Sequence, residues 1–84
     1  MTFVTKVVDA TGLLCPLPVL RARKALGKIS EGDVLEITVT DKNAPADFEA
    51  FCGETGHELL NLMEDGDGHR ISIRKRIDND KKRT

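Results

Sequence analysis

Hydrophobic and polar positions along the chain follow two alternating periods. Phe3 to Asp9 is rich in Val and Thr, residues that favour a pleated strand, and Gly12 interrupts the pattern. From Pro18 to Ile29 the period lengthens. Val19, Ala22, Leu26 and Ile29 recur at helical spacing on one face, while Arg21, Lys24 and Lys28 fall on the opposite one. Pro16 and Pro18 fit only before or within the first turn of such a helix, where a missing N–H is harmless. Gly32-Asp33 predicts a turn. Val34 to Thr40 then alternates, with Leu35, Ile37 and Val39 on one side. Asp41 to Asn43 supply capping side chains, and Pro45 stands early in a second helix. On that helix Phe48, Phe51, Cys52 and Thr55 share a face, and Gly56 suits its end. His57 to Glu64 and Arg70 to Ile77 read as strands joined through Asp65-Gly66-Asp67-Gly68, a strong hairpin signal.

The order β-α-β-α-β-β predicts an α/β (α+β) two-layer sandwich, with a four-stranded mixed sheet and both helices on one face. The first two strands are expected to run parallel through a right-handed crossover. Two layers leave the far face of the sheet open, in keeping with Glu36, Thr38 and Thr40 alternating outward. Residues 1–77 are read as one domain. Residues 78–84 contain no apolar side chain and are read as a polar tail.

Composition narrows the function classes. The chain has 84 residues, 39% hydrophobic and 32% charged, with a net charge of −1. Such values exclude a wholly disordered chain, a collagen-like repeat and binding to nucleic acid by charge alone. Charge does shift near the end, with six Lys/Arg against two Asp between Arg74 and Thr84. Two cysteines are too few for a disulfide scaffold, and no Cys/His cluster suggests a metal site. The longest uncharged run, Ala10 to Leu20, is too short and too broken by Gly12, Pro16 and Pro18 to cross a bilayer. No apolar signal segment opens the chain. A cytoplasmic protein with reduced thiols, no metal and no membrane contact is expected.

The informative stretch is Gly12-Leu13-Leu14-Cys15-Pro16-Leu17-Pro18. It sets one cysteine just ahead of the first helical turn, where free N–H groups and the helix dipole favour an anionic sulfur. A lowered thiol pKa is therefore expected at Cys15, on a turn stiffened by Pro16 and Pro18. The competing reading is a small buried hydrophobe. Leu17, on the same face as Arg21, Lys24 and Lys28, is a candidate partner contact. The basic stripe would steer an acidic surface or a phosphate backbone, unless it is simply a solvated helix face. Cys52 lies between core positions and reads as a packed, inert thiol. His57 and His69 read as surface or capping residues. Asp9 and Asp41 both end strands on the side where helices begin, which brings them toward the Cys15 turn as possible support. Both also suit ordinary turn and capping roles. No phosphate-cradling glycine loop and no Ser/His/Asp constellation is present.

Leu14-Cys15-Pro16-Leu17-Pro18 followed by Arg23-Lys24-Ala25-Leu26 resembles the signature of the TusA/SirA-like small sulfur carrier proteins. Further matches are Gly32-Asp33, Asp41, Phe51-Cys52, His57-Glu58-Leu59 and Ile73-Arg74-Lys75, so the resemblance spans about residues 7–76. It implies the two-layer fold reached above and a persulfide carried on Cys15, with no cofactor beyond that covalent sulfur. It also implies a cysteine desulfurase or other sulfurtransferase as donor and a sulfur acceptor protein as recipient. In this family such relays lead to tRNA 2-thiouridine, sulfur oxidation or the molybdenum cofactor. The resemblance implies a protein-borne carrier more than an enzyme with its own substrate pocket. Leu17 stands where the tRNA-thiolation member has an acidic residue, and Lys42 where it has proline. The residues alone leave two other classes open: a non-catalytic binding module on the Arg21/Lys24/Lys28 face, with RNA as one partner, and a thiol redox protein using Cys15 and Cys52.

Overall fold

The structure, a computed structural model, describes residues 3–77. The polar tail expected at 78–84 lies outside the described residues. The chain runs β1 (Lys6–Ala10), α1 (Leu17–Leu26), β2 (Val34–Val39), α2 (Ala44–Thr55), β3 (Glu58–Asp65) and β4 (Gly68–Arg74). The sheet order is β1-β2-β4-β3. β1 and β2 are parallel, with Val8 beside Ile37 and Ala10 beside Val39. β2–β4 and β3–β4 are antiparallel, so the sheet is mixed as the pattern predicts.

Both helices cover the face that carries Leu35, Ile37, Val39, Ile71 and Ile73, all 0% exposed. Against them α1 buries Pro18, Ala22, Ala25 and Leu26, and α2 buries Ala44, Phe48, Phe51 and Cys52. Five aliphatic side chains of the sheet thus meet small residues of α1 and bulky ones of α2. On the uncovered face Arg70 bridges Glu36 at 3.4 Å and Asp65 at 2.7 Å. Glu36 and Thr38 point to this face but are half-buried, while Thr40 is exposed.

Several boundaries differ from the sequence reading. β1 begins at Lys6 rather than Phe3, because among the described residues Phe3 and Val4 pair with no strand; Thr5 is tied to Val34, its N–H donating to the Val34 carbonyl at 2.8 Å and its hydroxyl accepting the Val34 N–H at 3.3 Å. α1 stops at Leu26 rather than Ile29. Gly27, a weak helix former, caps it, and Lys28 and Ile29 continue in tighter turns onto the Ala25 and Leu26 carbonyls at 3.0 and 3.3 Å. Lys28 therefore sits beyond the helix. Val19 and Ile29 are only partly buried, and the core positions are instead Pro18 and Ala25. β4 ends at Arg74 rather than Ile77. α2 ends on Gly56 in the left-handed conformation, φ 88°, where a side chain is disfavoured. Gly68 answers to space instead: a Cβ there would lie 1.9 Å from the Val39 carbonyl oxygen.

Candidate functional site

The loop from β1 to α1 crosses the C-terminal ends of the two parallel strands. Asp9 begins it. Its Oδ1 accepts hydrogen bonds from the Thr11 N–H at 3.0 Å and the Thr11 hydroxyl at 2.8 Å, which hold its carboxyl below the usual range. The Gly12 N–H donates to the Thr40 hydroxyl at the end of β2, at 2.9 Å. Asp41, one residue on, accepts a hydrogen bond from the Cys15 N–H through Oδ2, and its Oδ1 accepts from the Asn43 N–H at 3.1 Å. Of the two supporting carboxylates read from the sequence, Asp41 holds Cys15 directly, and Asp9 shapes the loop upstream. Asn43 precedes α2 without a side-chain cap, and the Ala44 N–H at the start of the helix donates to the Asp41 backbone carbonyl at 3.1 Å.

Cys15 is exposed, so the buried-hydrophobe alternative does not describe it. Its bond to Pro16 is cis. Pro16 is the N-cap of α1, Leu17 and Pro18 open the helix, and no side chain caps it. Leu14, Leu17 and Leu20 surround this end of the helix, 69, 48 and 50% exposed. Arg21 and Lys24 are exposed along the same side of α1. Beside the cysteine lies a cavity of about 200 Å³ between the helices. Pro16, Val19 and Arg23 line it from α1; Asp47, Ala50, Phe51 and Glu54 line it from α2.

The electrostatics of the thiol reverse the sequence reading. The Cys15 pKa is raised, chiefly by hydrogen bonding of the thiol to the Asp47 carboxylate, then by desolvation and by the negative charges of Asp47 and Asp41. Cys15 precedes the N-cap, and the carboxylates of Asp47 on α2 and of Asp41 at the end of β2 face it. Two nearby anions outweigh a helix dipole whose effect fades within the first turn. A raised pKa favours the protonated form of the thiol.

Asp47 and Arg23 are the residues the sequence reading did not single out for this site. Pro16, Val19 and Arg23 stand at helical spacing on α1, and Asp47, Ala50, Phe51 and Glu54 do so on α2. Facing stripes at i, i+3 and i+7 on one side and at i, i+3, i+4 and i+7 on the other were the available signal. The Arg23 guanidinium lies over the Phe51 ring, 5.2 Å from its centroid. His57 packs on the other side of this aromatic cluster, 5.6 Å from Phe51, and its Nδ1 accepts the Arg76 N–H at 3.0 Å. Cys52 is buried, and burial pushes its thiol pKa up. Neither His57 nor His69 lines the Cys15 cavity. Among the described residues no cluster of three or more His, Cys, Asp or Glu could hold a metal ion, and no helix is long and apolar enough to cross a membrane.

Fold and site together define a two-layer α+β domain that presents a single thiol at the end of an open interhelical groove. The family model described as Sulfurtransferase TusA matches residues 6–75. A Neisseria meningitidis serogroup A protein named as a candidate sulfur carrier is 57% identical over 60 residues, covering 71% of this chain and 81% of its own length. The sulfur carrier protein TusA of Allochromatium vinosum is 46% identical over 68 residues, 81% of this chain and 90% of its own. The crystal structure of a SirA-like protein from Desulfitobacterium hafniense superposes with a TM-score of 0.75 at 27% identity, covering 87% of this chain and all of that one. The chain belongs to the TusA family.

Proposed function

We propose that the protein is a sulfur carrier in which Cys15 accepts sulfane sulfur as a persulfide and passes it to an acceptor protein. One observation carries the reading: a solvent-open cysteine mounted at a helix entrance by Asp41, in a chain whose named relatives are sulfur carrier proteins. The donor is a cysteine desulfurase or another sulfurtransferase. In the transfer the Cys15 sulfur attacks the outer sulfur of the donor persulfide, the donor S–S bond breaks, and a Cys15 S–S bond forms. The Cys15 proton passes to the departing donor thiolate, so charge and oxidation level balance. Delivery repeats the step with the acceptor thiol as nucleophile. In this reading Asp47, whose carboxylate acts on the thiol, relays that proton.

Pro16 and Pro18 fix the approach of the chain to α1, and Leu17, Arg21 and Lys24 offer partners an apolar contact with positive charge beside it. The reading places the chain in the reducing cytoplasm, where an exposed thiol persists. The burial of Cys52 favours a carrier over a redox protein that needs two accessible thiols. Incubation with a cysteine desulfurase and cysteine, followed by intact mass, tests the proposal. Wild type and Cys52→Ala gain one sulfur atom and Cys15→Ala gains none. Equal uptake by Cys15→Ala would defeat it.

A further inference from the structure

Among the described residues one cation lines the groove beside Cys15. Arg23 lines the same 200 Å³ cavity as Cys15, Asp47 and Glu54, yet among the described residues its guanidinium makes no ion pair. It lies over the Phe51 ring, 5.2 Å from the centroid, and Phe51 packs edge-on with Phe48, at 6.4 Å between centroids. An arginine stacked on a buried ring is held in place while its N–H donors stay available, the form in which arginine binds anions. We infer that Arg23 is a cargo-binding residue: its guanidinium is the counter-ion for the outer sulfur of a Cys15 persulfide lying in the interhelical groove. The inference rests on the carrier reading and deepens it.

The argument is one of position. The groups that act on the bare Cys15 sulfur are the Asp47 and Asp41 carboxylates, with no cation among them. Loading adds a second sulfur about 2 Å beyond the first, and the negative charge of a persulfide anion resides on that outer atom. A hydropersulfide is also a stronger acid than a thiol. Loading therefore moves the titrating atom away from Cβ, on this inference into the cavity that Cys15 and Arg23 both line. The empty carrier holds a protonated thiol against Asp47, and the loaded carrier holds an anion against Arg23. Phe51, Val19 and Ala50 supply an apolar lining beside the pair.

The test loads the full chain with inorganic polysulfide, which bypasses donor docking, and follows iodoacetamide alkylation of Cys15 against pH by intact mass. In Arg23→Gln the loaded form is alkylated about fivefold more slowly near pH 6, its profile displaced to higher pH. The empty thiol keeps its wild-type profile. Arg23→Lys, which retains the charge, recovers most of the loaded rate. A loaded Arg23→Gln profile that superposes on wild type overturns the inference, and so does an equal displacement of the empty thiol. Refusal of sulfur from a desulfurase by wild-type protein would sink the carrier reading instead, and the polysulfide measurement separates the two failures.

Discussion

The Asp41 carboxylate at the end of β2 accepts the backbone N–H of Cys15, 26 residues earlier in the chain. Its second oxygen accepts the Asn43 N–H at 3.1 Å, so one side chain ties the reactive loop to the start of α2. The parallel pairing of β1 with β2 makes this possible by setting both strand ends side by side. Replacing Asp41 by Ala removes both acceptors at once. We expect Asp41→Ala to lower stability by about 1–2 kcal/mol in urea unfolding and to slow sulfur uptake by Cys15. Asp41→Asn, which keeps an acceptor oxygen, retains more of both. If Asp41→Ala loads sulfur at the wild-type rate, the tie does not matter for presentation.

Asp47 is the carboxylate that acts most on the Cys15 thiol. Its carboxylate is the first cause of the raised Cys15 pKa, and a raised pKa means less thiolate at any given pH. Removing the charge therefore moves the alkylation profile to lower pH. For Asp47→Asn the iodoacetamide rate of the empty protein at pH 7 is expected to rise about three- to tenfold. An unchanged or slower rate would show that Asp47 does not govern the sulfur. The same variant carries a cost in a carrier, since a thiolate left bare in the cell is also the form that oxidises.

His57 gives the fold an acid-side dependence. Desolvation, then the charges of Arg76, Lys75 and Arg23, hold its pKa below the usual histidine value. Its Nδ1 must be unprotonated to accept the Arg76 N–H. With the folded pKa depressed, the contribution to stability is complete above the unfolded value, near pH 6.5, and is lost as pH falls through the folded one. Urea midpoints are expected to decline as pH drops from about 6.5 toward 5, ahead of ordinary carboxylate protonation. His57→Asn keeps an acceptor without the titration and should flatten that step. Persistence of the full step in His57→Asn would assign it to other groups.

Much of the fold was legible because its two periods are clean where one face is buried. β2 alternates from Leu35 to Val39, and it sits inside the sheet, where both neighbours enforce the register. The edges were less legible. Leu59, Leu60, Asn61 and Leu62 do not alternate, and the structure resolves them with a register shift between Leu59 and Asn61 that turns Leu59 and Leu62 both toward the core. Phe3 and Val4 have strand-like composition without a strand to pair with, so composition alone overextended β1.

The site divides in the same way. Cys15, its prolines and Asp41 are local to loops whose chemistry is written in adjacent residues. The sign of the Cys15 pKa shift was misread because it depends on Asp47, 32 residues away and on another helix. Local reasoning counts the dipole of the helix that follows the cysteine and misses the carboxylate that the crossover brings beside it. Arg23 escaped notice for a related reason, since a charged residue in the middle of an amphipathic helix looks like solvent-facing cover until the second helix supplies Phe51 beneath it.

Two glycines of opposite function offer a final check on the packing. Gly68 opens β4 opposite the end of β2, and a Cβ there would meet the Val39 carbonyl oxygen at 1.9 Å and Thr40 Cα at 3.0 Å. Both are backbone atoms, so no side-chain rotation relieves the clash. Gly68→Ala must push β4 away from β2 at the end of the sheet that carries Thr40 and Asp41. A loss of about 3 kcal/mol is expected in urea unfolding, accompanied by slower sulfur uptake because the same displacement reaches the Asp41 tie to Cys15. Gly53 is the contrast. It lies within α2, and a Cβ would meet nothing within 4 Å. Gly53→Ala removes backbone freedom from the unfolded chain and is expected to stabilise by about 0.5–1 kcal/mol with uptake unchanged. Equal stability of the two variants would mean that β2 and β4 do not approach as closely as Gly68 implies.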